Sequence, residues 1–254
     1  MHLWLLFLLL LAPWLYAKPL VVGGTLEAPL KYLDEEGRPA GLEIDILTAI
    51  FGAMKQPFRV ELTDSGARLT RNAESGVYDM VFTHSYKPER ERYLIYPQQS
   101  HLRHSWHFFV RKEDLGRIRF DRLSDLKPWR IGLTKDFAYT PEINAIEGDP
   151  AWRVQMVTMN DLQLRKLVMK RIDVVPMPLV TAFAQIQAEG MEGKVDYLPH
   201  PFKSSPYFNV WCKARADDQT PALMQAYDAE LLRMKRDGRL RALYEKYGIP
   251  YVEP

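Results

Sequence analysis

Short apolar runs alternate along this chain with longer stretches of helical spacing, a pattern that predicts a mainly parallel sheet covered by helices. Residues 20–23 read as a strand. Gly41 to Asp45 leads into a helix whose Ile46, Leu47, Ile50, Phe51 and Met54 share one face. A strand at 58–62, a short helix at 67–73 and a strand at 79–83 continue the alternation. From Trp106 onward, strands at 106–110, 130–133, 154–157, 172–175 and 195–198 interleave with helices at 139–146, 160–169 and 180–187, predicting a second sheet. A last strand at 207–213 precedes two helices, 221–237 and 240–247, ended by Gly238 and Gly248.

Residues 101–105 and the proline-punctuated 199–206 connect the two sheets. The chain therefore leaves one lobe and returns to it. The expected fold class is α/β, two lobes joined by a two-strand hinge, with 18–104 and 202–254 forming lobe one and 105–201 lobe two. Such an arrangement places a cleft at the lobe interface and gives it a hinge.

The N-terminus bears on compartment. Leu3 to Tyr16 is almost wholly apolar but shorter than the ~20 residues of a spanning helix, which fits the core of a secretory signal peptide. Cleavage is expected after Ala17, releasing the chain into the periplasm of a Gram-negative cell; an uncleaved anchor is the alternative. No cysteine follows that site to carry a lipid anchor. With 47% hydrophobic and 26% charged residues, the composition is that of a globular protein and excludes a disordered chain or a membrane bundle. A net charge of +2, with no basic block, gives no sign of a nucleic-acid partner. The single cysteine, Cys212, excludes an intrachain disulfide and reads as a buried, inert thiol in an apolar strand.

Candidate chemistry centres on Gly76 to Pro97. There a buried strand is broken by Lys87-Pro88-Glu89-Arg90, and ligands in open α/β sheets bind beyond the carboxyl ends of strands. Arg90 is either a surface charge among Glu89, Glu91 and Arg92 or a ligand anchor. His101, His104 and His107 recur every three residues, but on a strand they point to different sides, so no metal site is expected. Gly23-Gly24 lacks the third glycine and helix start of a phosphate cradle, and no cofactor is expected.

The chain resembles the bacterial extracellular solute-binding proteins of family 3, the periplasmic receptors of polar amino-acid ABC transporters. The resemblance rests on Pro29 with Asp34 to Asp45, Tyr78-Asp79, Pro88-Glu89-Arg90, Ile95-Tyr96-Pro97, Leu123 to Leu126, Ile131-Gly132, Arg171-Ile172-Asp173 and the terminal helix pair. It implies a type II periplasmic binding protein fold. It also implies a monomer that captures a small polar solute, an amino acid or a related carboxylate, for an inner-membrane permease or a sensor. Arg90 matches the arginine that pairs with the ligand carboxylate, a task suited to the planar guanidinium fork. Ser85 and Thr83 match hydroxyl contacts, and Glu27 a pocket position in the first loop. Arg68 resembles a second arginine of less characterised branches, where a surface salt bridge is the other reading.

Two departures stand out. Amino-acid binders place the aspartate that holds the ligand ammonium five residues after the Arg-Ile-Asp aspartate; here Pro178 occupies that position. Lys135-Asp136-Phe137-Ala138 replaces the usual small-residue turn of lobe two. Asp136 then either supplies the missing carboxylate or caps the following helix, and Phe137 is a candidate for stacking on the ligand. Binding without turnover is the expected activity. The competing reading is a cyclohexadienyl dehydratase-like enzyme of the same fold, for which Asp136 is the candidate catalytic carboxylate.

Overall fold

The computed structural model describes residues 18–135, 139–158 and 162–254. The predicted leader, residues 1–17, lies outside the described residues, as do Asp136 and Phe137. The apolar run before Thr25 forms β1 (Leu20–Thr25), where glycine is a packing requirement: a Cβ on Gly23 would lie 2.5 Å from the Tyr78 ring. A small hairpin, β2 (Tyr32–Leu33) and β3 (Pro39–Ala40), turns on Asp34, whose Oδ1 accepts from the backbone N–H groups of Glu36 and Arg38. Gly41, with φ 121°, then enters α1 (Leu42–Met54) so close to Leu30 that a Cβ would sit 2.4 Å from its carbonyl oxygen. Of the predicted apolar face of α1, Ile46, Leu47, Ile50 and Phe51 are buried and Met54 is half-buried.

β4 (Phe58–Thr63), α2 (Gly66–Glu74) and β5 (Met80–Ser85) follow, with the Ser65 hydroxyl capping α2 at the Arg68 N–H. A 3-10 turn, Pro88–Arg92, leads to β6 (Leu94–Ile95) and the first long crossing strand, β7 (Leu102–Arg111). Lobe two adds β8 (Arg130–Thr134), α3 (Pro141–Asn144), β9 (Arg153–Val157), α4 (Leu162–Val168), β10 (Val175–Pro178), α5 (Leu179–Ala188) and β11 (Val195–Tyr197). The chain returns along β12 (Lys203–Cys212) and ends in α6 (Thr220–Asp237) and α7 (Arg239–Lys246).

One sheet, not two, carries most of these strands. Its order is β10-β7-β12-β5-β1-β4, with β11 also on β7 and β6 on β12. β7 and β12 pair antiparallel from Leu102 opposite Tyr207 to Trp106 opposite Lys203, so the hydrogen-bond ladder continues through both crossings. The expectation of a separate second sheet thus holds only for the parallel pair β8–β9. The strand expected at 172–175 is displaced to Val175–Pro178, because Ile172 and Asp173 are engaged by arginines before the strand begins. Pro176 and Pro178 are tolerated there because β10 lies at the sheet edge.

The core divides with the lobes. Helices α1, α6 and α7 pack Ile50, Phe51, Tyr227, Leu231 and Tyr244 against lobe one's sheet, joined by Val180 from α5. Phe108, Leu126, Ile131 and Val174 centre one cluster of lobe two, and Phe109, Leu164, Leu167 and Ile186 another. Beside them Asp173 accepts from Arg130 Nε and Nη2 and from Arg111 Nη2, each at 2.8 Å. Cys212 is buried, and that burial pushes its thiol up to about 12, in keeping with an inert side chain.

Candidate ligand cleft

At the carboxyl ends of β1 and β5 lies a cavity of ≈ 360 Å³ whose lining includes Glu27, Lys31, Thr83, His84, Ser85 and Arg90. All of the described residues that line it belong to lobe one. Arg90 is placed by the 3-10 turn, with Pro88 fixing its first position. Half-buried, it donates from Nη1 to the Ser85 carbonyl oxygen at 2.9 Å and, more weakly, to the Ser85 hydroxyl at 3.4 Å. The same carbonyl accepts from the Tyr96 hydroxyl at 3.0 Å. Among the described residues no carboxylate pairs with Arg90; its neighbours Glu91 and Arg92 turn away, to Tyr86 and Glu74 respectively.

The other expected site residues fall in different situations. Ser85 lines the cavity beside Arg90. Thr83 lines it too, but its hydroxyl is committed inward, donating to Glu43 Oε1 at 2.8 Å and accepting from Lys31 Nζ at 3.1 Å. Thr83 also carries the one irregular backbone angle of the strand, φ 57°, held by its N–H donating to Asn209 Oδ1. Glu27 reaches the cavity with its carboxylate paired to Lys31 Nζ at 2.9 Å, so its charge is compensated within the protein. Arg68 is exposed in the first turn of α2 and does not line the cavity; Gly66, Leu69 and Thr70 do so instead.

Lys31, Glu43 and His84 are not singled out by the sequence, and His101 stands out there only in the histidine spacing weighed for a metal. Lys31 is 1% exposed although charged, and Glu43 and His101 are equally enclosed. His101 Nε2 stands 2.7 Å from Glu43 Oε2, a close polar contact without an aligned hydrogen bond. Burial pushes the Glu43 carboxyl up, but His101, Lys31 and the Thr83 hydroxyl more than offset it, and the carboxyl titrates below its ordinary value. A chain of buried polar groups therefore runs from Glu27 at the cleft, through Lys31, Thr83 and Glu43, to His101 at the foot of β7. The only sequence signal for Lys31 is a lone cation inside the apolar run Pro29 to Leu33. Lys31→Met is expected to cost about 1–3 kcal/mol, the penalty for leaving buried polar partners unsatisfied, read as a lower midpoint in urea denaturation.

The three histidines occupy separate environments, as a strand dictates. His101 meets Glu43, His104 packs its ring against Tyr207 and Trp106, and His107 bonds the Leu198 carbonyl and the Ser105 hydroxyl. Two other concavities have their acidic groups already engaged: Asp79 by Arg215 and the Val21 N–H, and Asp228 by the N–H groups of Gln98 and Gln99.

A continuous sheet curled through two α/β lobes, with a cleft at its strand ends, is the architecture of the type II periplasmic binding protein fold. The family model for bacterial extracellular solute-binding proteins, family 3, matches residues 20–250, and the chain belongs to that family. Among solved structures it is similar to the unliganded, open L-cystine receptor of Neisseria gonorrhoeae (14% identity, TM-score 0.74, 90% of this chain and 92% of that one). It is also similar to the open second substrate-binding domain of GlnP from Lactococcus lactis (16%, TM-score 0.73, 91% and 97%). A histidine kinase sensor domain with similarity to periplasmic binding proteins shares the fold as well (20%, TM-score 0.59, 94% and 99%). A search of curated protein sequences finds no match. The family is one of extracellular solute-binding proteins. Among the described residues no helix is long and apolar enough to cross a membrane.

Proposed function

We propose that this protein is a monomeric periplasmic receptor that closes residues 105–201 over a small carboxylate-bearing solute held on 18–104 and 202–254. It then delivers that solute to an ABC-type permease, binding without turnover. The observation that carries this reading is Arg90: a guanidinium in the cleft, anchored through neutral oxygens and free of any carboxylate partner among the described residues. A carboxylate on the ligand would supply the missing counter-charge, and lobe closure would strengthen the pair by excluding water. Contacts made only in the closed form would draw the equilibrium toward it. The leader at 1–17 would deliver the chain across the inner membrane and be removed.

Native mass spectrometry of protein purified from the periplasm tests this directly. The expected spectrum is a monomer lacking residues 1–17 with one co-purified carboxylate. A ligand-free mass, together with no calorimetric binding across a panel of amino and other carboxylic acids, overturns the reading.

A further inference from the structure

Resting on that reading, we infer that His84 selects the ligand: its Nε2 accepts a hydrogen bond from a neutral donor beside the carboxylate held by Arg90, favouring a hydroxy carboxylate. The imidazole lines the same cavity as Arg90, Lys31 and Glu27. Its Nδ1 lies 2.7 Å from the Phe82 carbonyl oxygen, which can only accept, so Nδ1 carries the proton. The neutral ring then presents Nε2 as a bare acceptor. Nε2 is absent from the sealed, unpartnered polar atoms of the interior and bonds no protein group among the described residues. Nε2 is therefore not sealed in the interior, and it belongs to a side chain that lines the cavity.

Charge supports the neutral state and decides the donor. Burial, helped by the nearby cations Arg90 and Lys31, draws the imidazole down to about 4 against the opposing pull of the Phe82 bond. The Lys31 charge is met by Glu27, whereas that of Arg90 is not, leaving one uncompensated positive charge on the described lining. A ligand carrying one carboxylate and a hydroxyl would balance that charge and satisfy Nε2. An amino acid zwitterion would instead bring an ammonium toward Arg90 and Lys31 and leave the charge uncompensated. A carboxylate with neither group would leave Nε2 unpaired once the lobes close over it.

Two measurements test this. Nitrogen-15 spectra of the imidazoles, with His84 assigned by its loss in His84→Gln, are expected to show a neutral Nδ1–H tautomer at pH 6.5. An Nε2–H tautomer or an imidazolium overturns the inference without any ligand being present. Calorimetry then uses triplets differing only at C2: 4-methylpentanoate, 2-hydroxy-4-methylpentanoate and leucine; 3-phenylpropanoate, 3-phenyllactate and phenylalanine; succinate, malate and aspartate. Within any triplet that binds, the hydroxy acid is expected to exceed the unsubstituted acid by on the order of tenfold, and to exceed the amino acid as well. That ratio collapses toward one in His84→Phe, with His84→Leu taking its place if the phenylalanine variant does not fold. An amino acid preference, or a hydroxyl preference that persists in the variant, overturns the role of His84 and leaves the carboxylate reading standing. Failure of all nine acids to bind overturns both.

Discussion

Arg90→Ala is expected to weaken capture of the proposed carboxylate solute by ~2–5 kcal/mol, roughly 30-fold to several-thousand-fold in dissociation constant. The size of the loss follows from what the closed cleft does to a charge. A ligand carboxylate enclosed between two lobes has surrendered its water, and without the guanidinium nothing among the described lining meets it as an unpaired cation does. Arg90→Lys retains the charge but not the planar fork, so its loss is expected to be smaller. The fold is expected to tolerate both changes, because Arg90 donates its hydrogen bonds to Ser85, five residues before it at the end of β5. Calorimetry with the co-purified solute, alongside thermal unfolding, checks the two halves of the statement. An unchanged affinity in a folded Arg90→Ala protein would remove Arg90 from the site.

The second large effect concerns stability. Asp173→Asn is expected to destabilise the protein by about 1–3 kcal/mol, because it leaves the partly exposed Arg130, and Arg111, which keeps its 2.6 Å contact with Asp114, facing a neutral amide. Asp173 accepts from Arg130 through both side chain and backbone N–H and from Arg111 at 2.8 Å. Arg111 in turn holds the carbonyl oxygens of Leu167 and Ile172, so the triad fixes the end of α4 against the entry to β10. The Arg130 hydrogen bonds, with the help of Arg111, hold the Asp173 carboxyl well below the usual carboxylate range. A depressed folded-state value gives stability that is fully present above the unfolded value of about 3.9 and is lost as pH falls below it. Urea unfolding of the wild type should therefore weaken below about pH 4, and the Asp173→Asn curve should be flatter there. Parallel curves in that window would show that Asp173 is not the group responsible.

How far the sequence could be read depended on how local each signal was. The place of Arg90 just beyond a strand end was legible because Lys87 and Pro88 break a buried strand within a few residues of it. The apolar face of α1 was legible for the same reason, its spacing being set within one helix. Glu43 was not. On the helix it reads as a solvent-facing first-turn acid, yet it is 1% exposed because Lys31, Thr83 and His101, distant in sequence, converge on it. His84 was hidden because the tautomer that gives it a role depends on a carbonyl orientation that no residue pattern encodes. The single sheet was missed because pairing of residues 102–106 with 203–207 spans about a hundred positions, and no local period records it. Pro178 was read correctly as a non-carboxylate, but its place in an edge strand opposite Trp106 needed the fold.

The ladder between β7 and β12 has a mechanical consequence. Two independent linkers would let the lobes slide, tilt and separate in many directions. Tied to each other from Leu102–Tyr207 to Trp106–Lys203, the crossings form a ribbon that strongly resists stretching and shear but yields readily in twist. In the receptor proposed above, the lobes would thereby be left with essentially one easy motion, a rotation about the ribbon, and successive closings would retrace the same path. That torsional axle would set the aim of lobe two onto Arg90 and His84 before any solute arrived.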